Sequence, residues 1–141
     1  GYTTHQILTL ASIVELEGVN DESRSGVASV FYNRLKDGWT LGSDVTTYYA
    51  VKKDFSVELT QKDLDTCNPY NTRSTCVSAL PVGPICSSGL ESIIATINPA
   101  STDYYYFVAD KNKKTYYAKN QSEFNAIIND LKNQGLWYVY D

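Results

Sequence analysis

The sequence has no methionine, one histidine (His5) and three cysteines spaced nine and ten residues apart. Zinc sites usually carry closer ligand pairs, such as two cysteines separated by two residues, and the sequence has no such pair. A Ser-His or Cys-His dyad would have to use His5, which follows Thr3-Thr4 in what reads as the first turn of a helix. These scarcities disfavour a metal site and a histidine-activated nucleophile, and no cofactor is predicted.

Positive charge is also scarce, with 12 Lys and Arg against 16 Asp and Glu and a net charge of -4. No basic cluster interleaves with aromatic residues, as it would in a nucleic-acid binder. No apolar run approaches the roughly 20 residues that span a bilayer, and the first residues do not form a signal peptide. Nucleic acid is therefore disfavoured as a partner, and a membrane anchor or export signal, if the natural protein has one, lies outside these residues.

The sequence does contain 43% hydrophobic residues, which is enough for one core, and it contains 12 tyrosines. Tyrosine combines a flat apolar face with a hydroxyl, which suits sugar or protein contacts, although packing at sheet edges explains many tyrosines equally well. Cys67, Cys76 and Cys86 lie in one turn-rich stretch. Oxidation of Cys67 with Cys76 and three inert thiols are both compatible with that spacing.

Glu17 places a carboxylate on the apolar side of a predicted helix. It follows Ile13 by four residues and Val14 by three, whereas Glu15 falls outside that arc. Burial disfavours the charged form of a carboxyl group and raises its pKa, as a general acid near neutral pH requires. The alternative is a frayed helix end before Gly18 at which the side chain reaches water.

Caps and apolar spacing predict six helices and one hairpin, with turn chemistry throughout residues 65–86. A loop of that length is usually functional or disordered. The aromatic tail 136–140 could form a strand or pack on the core. The predicted elements are helices from Thr3 to Gly18 and from about Asp21 to Gly38, short helices capped by Asp44 and Thr60, a helix capped by Ser87 or Ser88 with Leu90, Ile93, Ile94 and Ile97 along one side, a hairpin over 104–118, and a helix from about Ser122 to Gly135.

Seven segments follow one another in a recognisable order along nearly the whole chain. They are Leu10-Ala-Ser-Ile-Val-Glu-Leu-Glu17, Val30-Phe-Tyr-Asn-Arg-Leu35, Leu41-Gly-Ser-Asp-Val-Thr46, Pro69-Tyr-Asn-Thr72, Leu80-Pro-Val-Gly-Pro-Ile85, Asn98-Pro-Ala100 and Tyr106-Phe-Val-Ala109. This order resembles the catalytic domain of the YceG-like endolytic murein transglycosylases. The resemblance implies one α+β domain over residues 1–141, with helices around Glu17 in a lysozyme-like arrangement and a small antiparallel sheet. An N-terminal membrane anchor and a preceding domain of the family would then be absent here.

The resemblance also implies the chemistry. The family cleaves peptidoglycan between N-acetylmuramic acid and N-acetylglucosamine and leaves 1,6-anhydro ends, and its catalytic glutamate corresponds to Glu17. A hydrolase needs a second carboxylate, whereas this reaction uses no water and one residue can act as acid and then as base. Implied partners are glycan strands and peptidoglycan synthases of the penicillin-binding type, at the outer face of the bacterial cytoplasmic membrane. The alternatives are a non-catalytic glycan-binding or scaffold module, and a muramidase with Asp44 as second carboxylate.

Further residues match family motifs and are predicted to bind substrate or to orient the acid. Asp44 could instead cap a helix, Asn71 could hold its own turn, and Arg34 could pair with a buried acid. The chain departs from the commoner family pattern at Gly42, where glutamine is frequent, and at Val45, where proline is frequent. The predicted substrate-binding residues are Glu15, Asn33, Ser43, Asp44, Thr46, Tyr70, Asn71 and Thr72.

Overall fold

Six helices and a two-stranded antiparallel sheet are described in the computed structural model, which covers residues 1–137. This mixture confirms the predicted α+β class, while the lysozyme-like arrangement remains a prediction. Residues 138–140 of the aromatic tail lie outside the described residues. The elements are α1 (Thr4–Glu17), α2 (Asp21–Lys36), α3 (Asp44–Val51), α4 (Gln61–Asp65), α5 (Leu90–Ile97), β1 (Tyr106–Ala109), β2 (Thr115–Ala118) and α6 (Gln121–Asn133).

Local capping explains where several helices begin. The Thr3 side chain accepts a hydrogen bond from the backbone N–H of Gln6, and the Gln6 side chain accepts one from the backbone N–H of Thr3. This reciprocal capping box confirms the predicted helix start at Thr3. Thr60 caps α4 in the same reciprocal way. The last helix begins slightly earlier than predicted, because Asn120 rather than Ser122 is its N-cap.

The start of α3 differs from the prediction by one residue. Ser43 is the N-cap and Asp44 is the first helical residue, and Ser43 makes no side-chain capping bond. The Ser43 hydroxyl instead donates to a carboxylate oxygen of Glu17, so it is not available to the helix end. Asp44 still favours the helix electrostatically, because a negative charge in the first turn complements the helix dipole.

Helix α5 is present as predicted, but neither Ser87 nor Ser88 caps it. Gly89 is the N-cap, and its backbone N–H donates to Glu15 Oε1 at 2.7 Å. The buried side of α5 carries Ser92, Ala95 and Thr96, whereas three apolar residues of the predicted row are exposed. Small buried side chains let α5 pack closely against α1 and α2, so the apolar row turns outward. The exposed residues are Leu90, Ile94 and Ile97.

The core lies between α1 and α2 and extends to the segments that follow. Phe31 of α2 meets Phe107 of β1 edge-on, with 5.7 Å between ring centroids. Burying one large apolar side chain completely stabilises the folded state by about 1.5–3 kcal/mol. This core therefore fixes the C-terminal end of α1, which bears Glu17. Its buried members are Leu10, Ile13, Val14, Val27, Ala28, Phe31, Leu41 and Ile85.

The predicted hairpin is the sheet, with Tyr106 opposite Ala118 and Ala109 opposite Thr115. The Asp110 carboxylate accepts hydrogen bonds from the backbone N–H groups of Asn112 and Lys114 and closes the polar turn. Gly26 of α2 lets the sheet pack closely against this helix, because a Cβ at position 26 would collide with the Tyr117 side chain of β2.

The long segment 65–86 is held by one covalent link and many hydrogen bonds. Cys67 and Cys76 form a disulfide, while Cys86 is a free thiol that donates to the backbone carbonyl of Ser12 at 3.3 Å. Of the alternatives left open by the spacing, the structure has the Cys67–Cys76 pair. No helix within residues 1–137 is long and apolar enough to cross a membrane.

Candidate active site

Glu17 is the last residue of α1, and its carboxylate accepts a hydrogen bond from Ser43 Oγ at 3.2 Å. The residue as a whole is partly exposed, but protein atoms surround its carboxyl group. Burial raises the pKa of Glu17 to about 7; the negative charge of Asp44 adds to the rise, while the Ser43 hydrogen bond and the positive charge of Arg34 oppose it. At neutral pH the carboxyl group can therefore both give and accept a proton.

A tight turn brings Ser43 to Glu17. Gly42 has a φ of +63°, a left-handed conformation that glycine adopts without steric cost. The backbone N–H of Gly42 donates to the carbonyl of Thr72 at 3.3 Å, and the neighbouring carbonyl of Leu41 accepts from the Arg34 guanidinium. The glycine that departs from the commoner family pattern thus occupies a position where a side chain would be strained.

Three predicted residues form one buried hydroxyl network behind Glu17. The Ser43 backbone N–H donates to Thr72 Oγ1 at 2.9 Å, and the Thr72 backbone N–H donates to Thr46 Oγ1 at 3.0 Å. The hydroxyl groups of Thr46 and Thr72 lie 2.7 Å apart, and both residues are fully buried. Because these polar groups satisfy one another, Thr46 and Thr72 hold Ser43 in place, and Ser43 is the member that reaches Glu17.

Asp44 lies at the solvent side of the same site. Its carboxylate accepts a hydrogen bond from Arg73 Nη1 at 2.7 Å, and both side chains are exposed. An exposed pair of this kind contributes little to stability, in the range of about 0–1 kcal/mol. Its relevance is electrostatic, because the charge of Asp44 raises the pKa of Glu17.

Arg34 donates hydrogen bonds to backbone carbonyls and not to a carboxylate, which differs from the alternative of pairing with a buried acid. Its Nε donates to the Tyr105 carbonyl at 2.8 Å, a second nitrogen donates to Leu41, and the guanidinium carbon lies 5.5 Å from the centroid of the Tyr106 ring. Arg34 is nevertheless close enough to lower the pKa of Glu17. The fixed positive charge favours the carboxylate that remains once Glu17 has released its proton.

Glu15 is directed away from this site. Its carboxylate accepts hydrogen bonds from the Gly89 backbone N–H at 2.7 Å and from Ser92 Oγ at 3.2 Å, and it forms an ion pair with Arg24 at 3.1 Å. The bond from Gly89 is the largest of the influences that lower the pKa of Glu15. The structure thus gives Glu15 a role in attaching α5 to α1 and does not bring it to the carboxyl group of Glu17.

Asn33 and Asn71 also serve the backbone. The Asn33 amide donates to the carbonyls of Thr102 and Tyr104 at 3.0 and 2.8 Å and anchors the segment that leads into β1. The fully buried Asn71 amide donates to three carbonyls within residues 63–66, which ties the long loop to α4. The side-chain oxygen of Asn71 also accepts from the backbone N–H of Arg73 at 3.1 Å, as the alternative of holding its own turn requires, and substrate binding by Asn71 stays a prediction.

Tyr70 lies in a groove of about 550 Å³ that begins beside the end of α1. Its ring packs edge-on against Tyr49, with 4.7 Å between centroids. Sequence reasoning missed the other aromatic residues of this groove, although the adjacent tyrosines 48 and 49 near the end of α3 were a visible signal. Within residues 1–137 no three His, Cys, Asp or Glu side chains meet in a group that could hold a metal ion. The groove is lined by Leu16, Val45, Tyr48, Tyr49, Ala50, Lys52, Lys53, Phe55, Asn68, Tyr70, Ile85 and Cys86.

Comparison with known proteins connects this geometry to a family. The model of the YceG-like family matches residues 1–130. An endolytic murein transglycosylase of Bacillus subtilis is 40% identical over 123 residues, which are 87% of this chain and 33% of that protein. An endolytic murein transglycosylase of Streptococcus pneumoniae is 37% identical over 139 residues, which are 95% of this chain and 25% of that protein.

A solved structure agrees with these matches. The crystal structure of a yceG-like protein of Listeria monocytogenes superposes with a TM-score of 0.80 at 40% identity, covering 87% of this chain and 39% of the other. The chain therefore spans about a quarter to a third of the length of the curated relatives it matches. Since the family model covers most of the chain and the identities are high, the chain belongs to the YceG-like family.

Proposed function

We propose that this domain is an endolytic peptidoglycan lytic transglycosylase in which Glu17 acts first as general acid and then as general base. The observation that carries the proposal is the buried carboxyl group of Glu17, with a pKa of about 7, in a partly exposed residue. The names of the relatives, endolytic murein transglycosylase, support the same substrate class. A general acid is most effective when its pKa lies near the working pH.

In the proposed reaction the protonated Glu17 donates its proton to the glycosidic oxygen between N-acetylmuramic acid and N-acetylglucosamine. The bond from C1 of the muramic acid to that oxygen breaks, and the N-acetylglucosamine leaves with a free 4-hydroxyl group. The Glu17 carboxylate then takes the proton of the muramyl 6-hydroxyl, whose oxygen bonds to C1. The products carry a 1,6-anhydro ring, no water is consumed, and Glu17 ends protonated as it began.

Nearby residues support both protonation states of Glu17. Before bond cleavage, burial and the charge of Asp44 favour the protonated acid. After proton transfer, the Ser43 hydroxyl group and the charge of Arg34 stabilise the carboxylate. Because Thr46 and Thr72 hold Ser43, this donor is oriented before the reaction and needs little reorganisation.

A second candidate function is a muramidase that releases a reducing sugar. The observation that favours it is Asp44, whose charge acts on Glu17 and which could serve as the second carboxylate of a hydrolase. The ion pair with Arg73 opposes that role, since it holds one carboxylate oxygen of Asp44 in a hydrogen bond.

The proposed substrate also implies where the domain acts. Peptidoglycan strands are made at the outer face of the cytoplasmic membrane, where the domain would act on nascent glycan beside penicillin-binding synthases. The Cys67–Cys76 disulfide supports an extracytoplasmic site, because such bonds persist mainly in oxidising compartments.

The test is mass spectrometry of the muropeptides that the wild-type chain and a Glu17→Gln variant release from nascent glycan strands and from mature sacculi. We expect 1,6-anhydro ends from the wild type, and a loss of about 10²–10⁴-fold in their rate of formation in the variant, as for removal of a general acid. Glu22→Gln, an exposed change on α2, serves as the matched control and should retain activity.

The product distinguishes the candidates. Products with reducing ends and no anhydro ends would contradict the transglycosylase proposal and support the muramidase. Glycan binding without any cleavage by the wild type, on both substrates, would contradict the catalytic proposal and favour a binding or scaffold module.

A further inference from the structure

The groove beside α3 exposes two aromatic rings. Tyr49 is 45% exposed and Phe55 is 54% exposed. Each packs against a second ring: Tyr48 meets Phe55 edge-on at 5.1 Å, and Tyr70 meets Tyr49 at 4.7 Å. Edge-on packing fixes the orientation of a ring while leaving one face open. The groove therefore presents oriented aromatic faces to solvent.

The segment that carries Phe55 is built by specific bonds. The Tyr48 hydroxyl donates to the Val57 carbonyl at 2.7 Å, and the Val57 backbone N–H donates to the Asp54 carbonyl at 3.0 Å. Lys53 forms an ion pair with Asp63 on the neighbouring α4. These bonds hold the segment 53–57 against α3 and α4, so Phe55 is displayed by an ordered turn.

The charge at the groove is positive. Lys53 is neutralised by Asp63, whereas Lys52, the exposed C-cap of α3, has no ion-pair partner among residues 1–137. A surface with one uncompensated ammonium group attracts carboxylates at low ionic strength. Peptide-bearing glycan strands carry carboxylates, so the charge suits that substrate.

The groove neighbours the candidate active site along two segments of the chain. Leu16, which lines it, precedes Glu17, and Val45, which also lines it, follows Asp44. A polymer that extends from Glu17 towards either neighbour would have its next units beside this groove. A cavity of about 550 Å³ is in the range that accommodates small-molecule ligands.

We infer that this groove is a saccharide-binding subsite, in which the apolar faces of N-acetylhexosamine rings stack on Tyr49 and Phe55 and the Lys52 ammonium group receives a carboxylate of the peptide-bearing strand. This inference rests on the proposed function for the direction of the strand. A pyranose ring has an apolar C–H face and a polar rim, and aromatic residues with open faces match the first while leaving the second in water.

The experiment measures binding of neutral N-acetylglucosamine oligomers, and of uncross-linked peptide-bearing strands, to the 141-residue chain in a Glu17→Gln background that leaves the ligand intact. We expect Tyr49→Ala and Phe55→Ala each to weaken binding of both ligands by about tenfold. Tyr49→Phe keeps the flat ring and should bind as tightly as the parent. Lys52→Gln should weaken only the peptide-bearing strand.

Tyr2→Ala is the matched control, since Tyr2 is 48% exposed and lies just before the opposite end of α1. It should leave both affinities unchanged, and thermal unfolding verifies that every variant is folded. Unchanged affinities in Tyr49→Ala and Phe55→Ala would overturn the inference, and so would a Phe55→Ala effect confined to self-association of the chain. If Lys52→Gln weakened the binding of both ligands equally, the proposed contact between the Lys52 ammonium group and a carboxylate would be wrong.

Failure of this inference is distinguishable from failure of the proposed function. If the wild-type chain produces anhydro ends and Tyr49→Ala leaves KM unchanged, the activity stands and the subsite is wrong. If the wild type cleaves nothing but Tyr49→Ala weakens oligomer binding, the subsite stands and the catalytic proposal is wrong.

Discussion

Two glutamates on α1, two residues apart, have opposite environments. Glu15 meets the backbone N–H of Gly89, the Ser92 hydroxyl group and the Arg24 guanidinium, which together lower its pKa. Among residues 1–137 only Ser43 donates a hydrogen bond to the Glu17 carboxylate, and burial raises the pKa of Glu17 to about 7. The same side chain on one helix is thus a structural anchor on one face and a candidate acid on the other, because the number of donors differs.

The two glutamates should also affect the stability of the folded state in opposite directions. A buried carboxyl group with few donors destabilises the folded state when it ionises, whereas a carboxylate with several donors stabilises it. Candidate active sites commonly retain such unfavourable groups because their reactivity depends on them. Glu17 should therefore cost stability near neutral pH, and Glu15 should contribute stability.

The largest effect expected from this comparison is in the pH dependence of unfolding for Glu17→Gln against the wild type. The pKa of Glu17 in the folded state is about 7, above its ordinary value of 4.5, so its favourable contribution is complete below pH 4.5 and is lost as pH rises through 7. The variant should gain up to about 3 kcal/mol relative to the wild type across that window. Urea unfolding between pH 4 and 8 measures the gap, and a constant gap would contradict the assigned environment of Glu17.

A smaller effect of opposite sign is expected for Glu15→Gln. Loss of the charged partner of Gly89 and Arg24 should lower the free energy of unfolding by about 1–2 kcal/mol, allowing for partial exposure. Because the pKa of Glu15 is lowered, its contribution is present above the ordinary value and is lost as pH falls through the lowered pKa. Urea unfolding at pH 7 and in acid follows both quantities.

Asp21→Asn is the control for that measurement. Asp21 pairs with the same Arg24 but is largely exposed, so its removal should cost under about 1 kcal/mol. Equal losses for the Glu15 and Asp21 variants would show that the bond to Gly89 contributes nothing.

The smallest expected effect is a pair of opposite shifts in the pH profile of glycan cleavage. In the proposed reaction Glu17 must be protonated to act as the acid, so kcat/KM should fall as pH rises through its pKa. Ser43→Ala removes a hydrogen bond that lowers this pKa, so the alkaline limb of the profile should move to higher pH. Asp44→Asn removes a charge that raises the pKa, so the limb should move to lower pH. Each shift should be smaller than the rise that burial itself produces, since burial is the largest influence on this pKa. Shifts in the same direction would contradict the electrostatic roles given to these residues.

Local rules predicted the parts of the fold that depend on neighbours in sequence. The capping boxes at Thr3 and Thr60 involve residues three positions apart, so they are visible in the sequence. The position of Glu17 on the apolar arc of α1 depends only on helical periodicity. The burial of its carboxyl group follows from that arc.

What sequence reasoning missed depends on contacts between distant segments. Nothing near Ser87 reveals that a carboxylate from α1 completes the start of α5, so a local cap was predicted in its place. The apolar row containing Ile94 was a sound helix signal but did not identify the buried side, because the small residues Ala95 and Thr96 pack there. Likewise, the matched motif residues Thr46 and Thr72 gave no sign that they would bond each other.

The bond from Gly89 to Glu15 has a consequence for the order of folding. It joins positions 74 residues apart, so the first turn of α5 gains its cap only after a long loop has closed. Closure of a loop costs chain entropy before its contacts can repay it, and the α1–α2 hairpin, whose contacts are local, has no such delay. Because the Glu15 carboxylate joins the beginning of the chain to its distant fifth helix, we expect the two to fold as one cooperative unit.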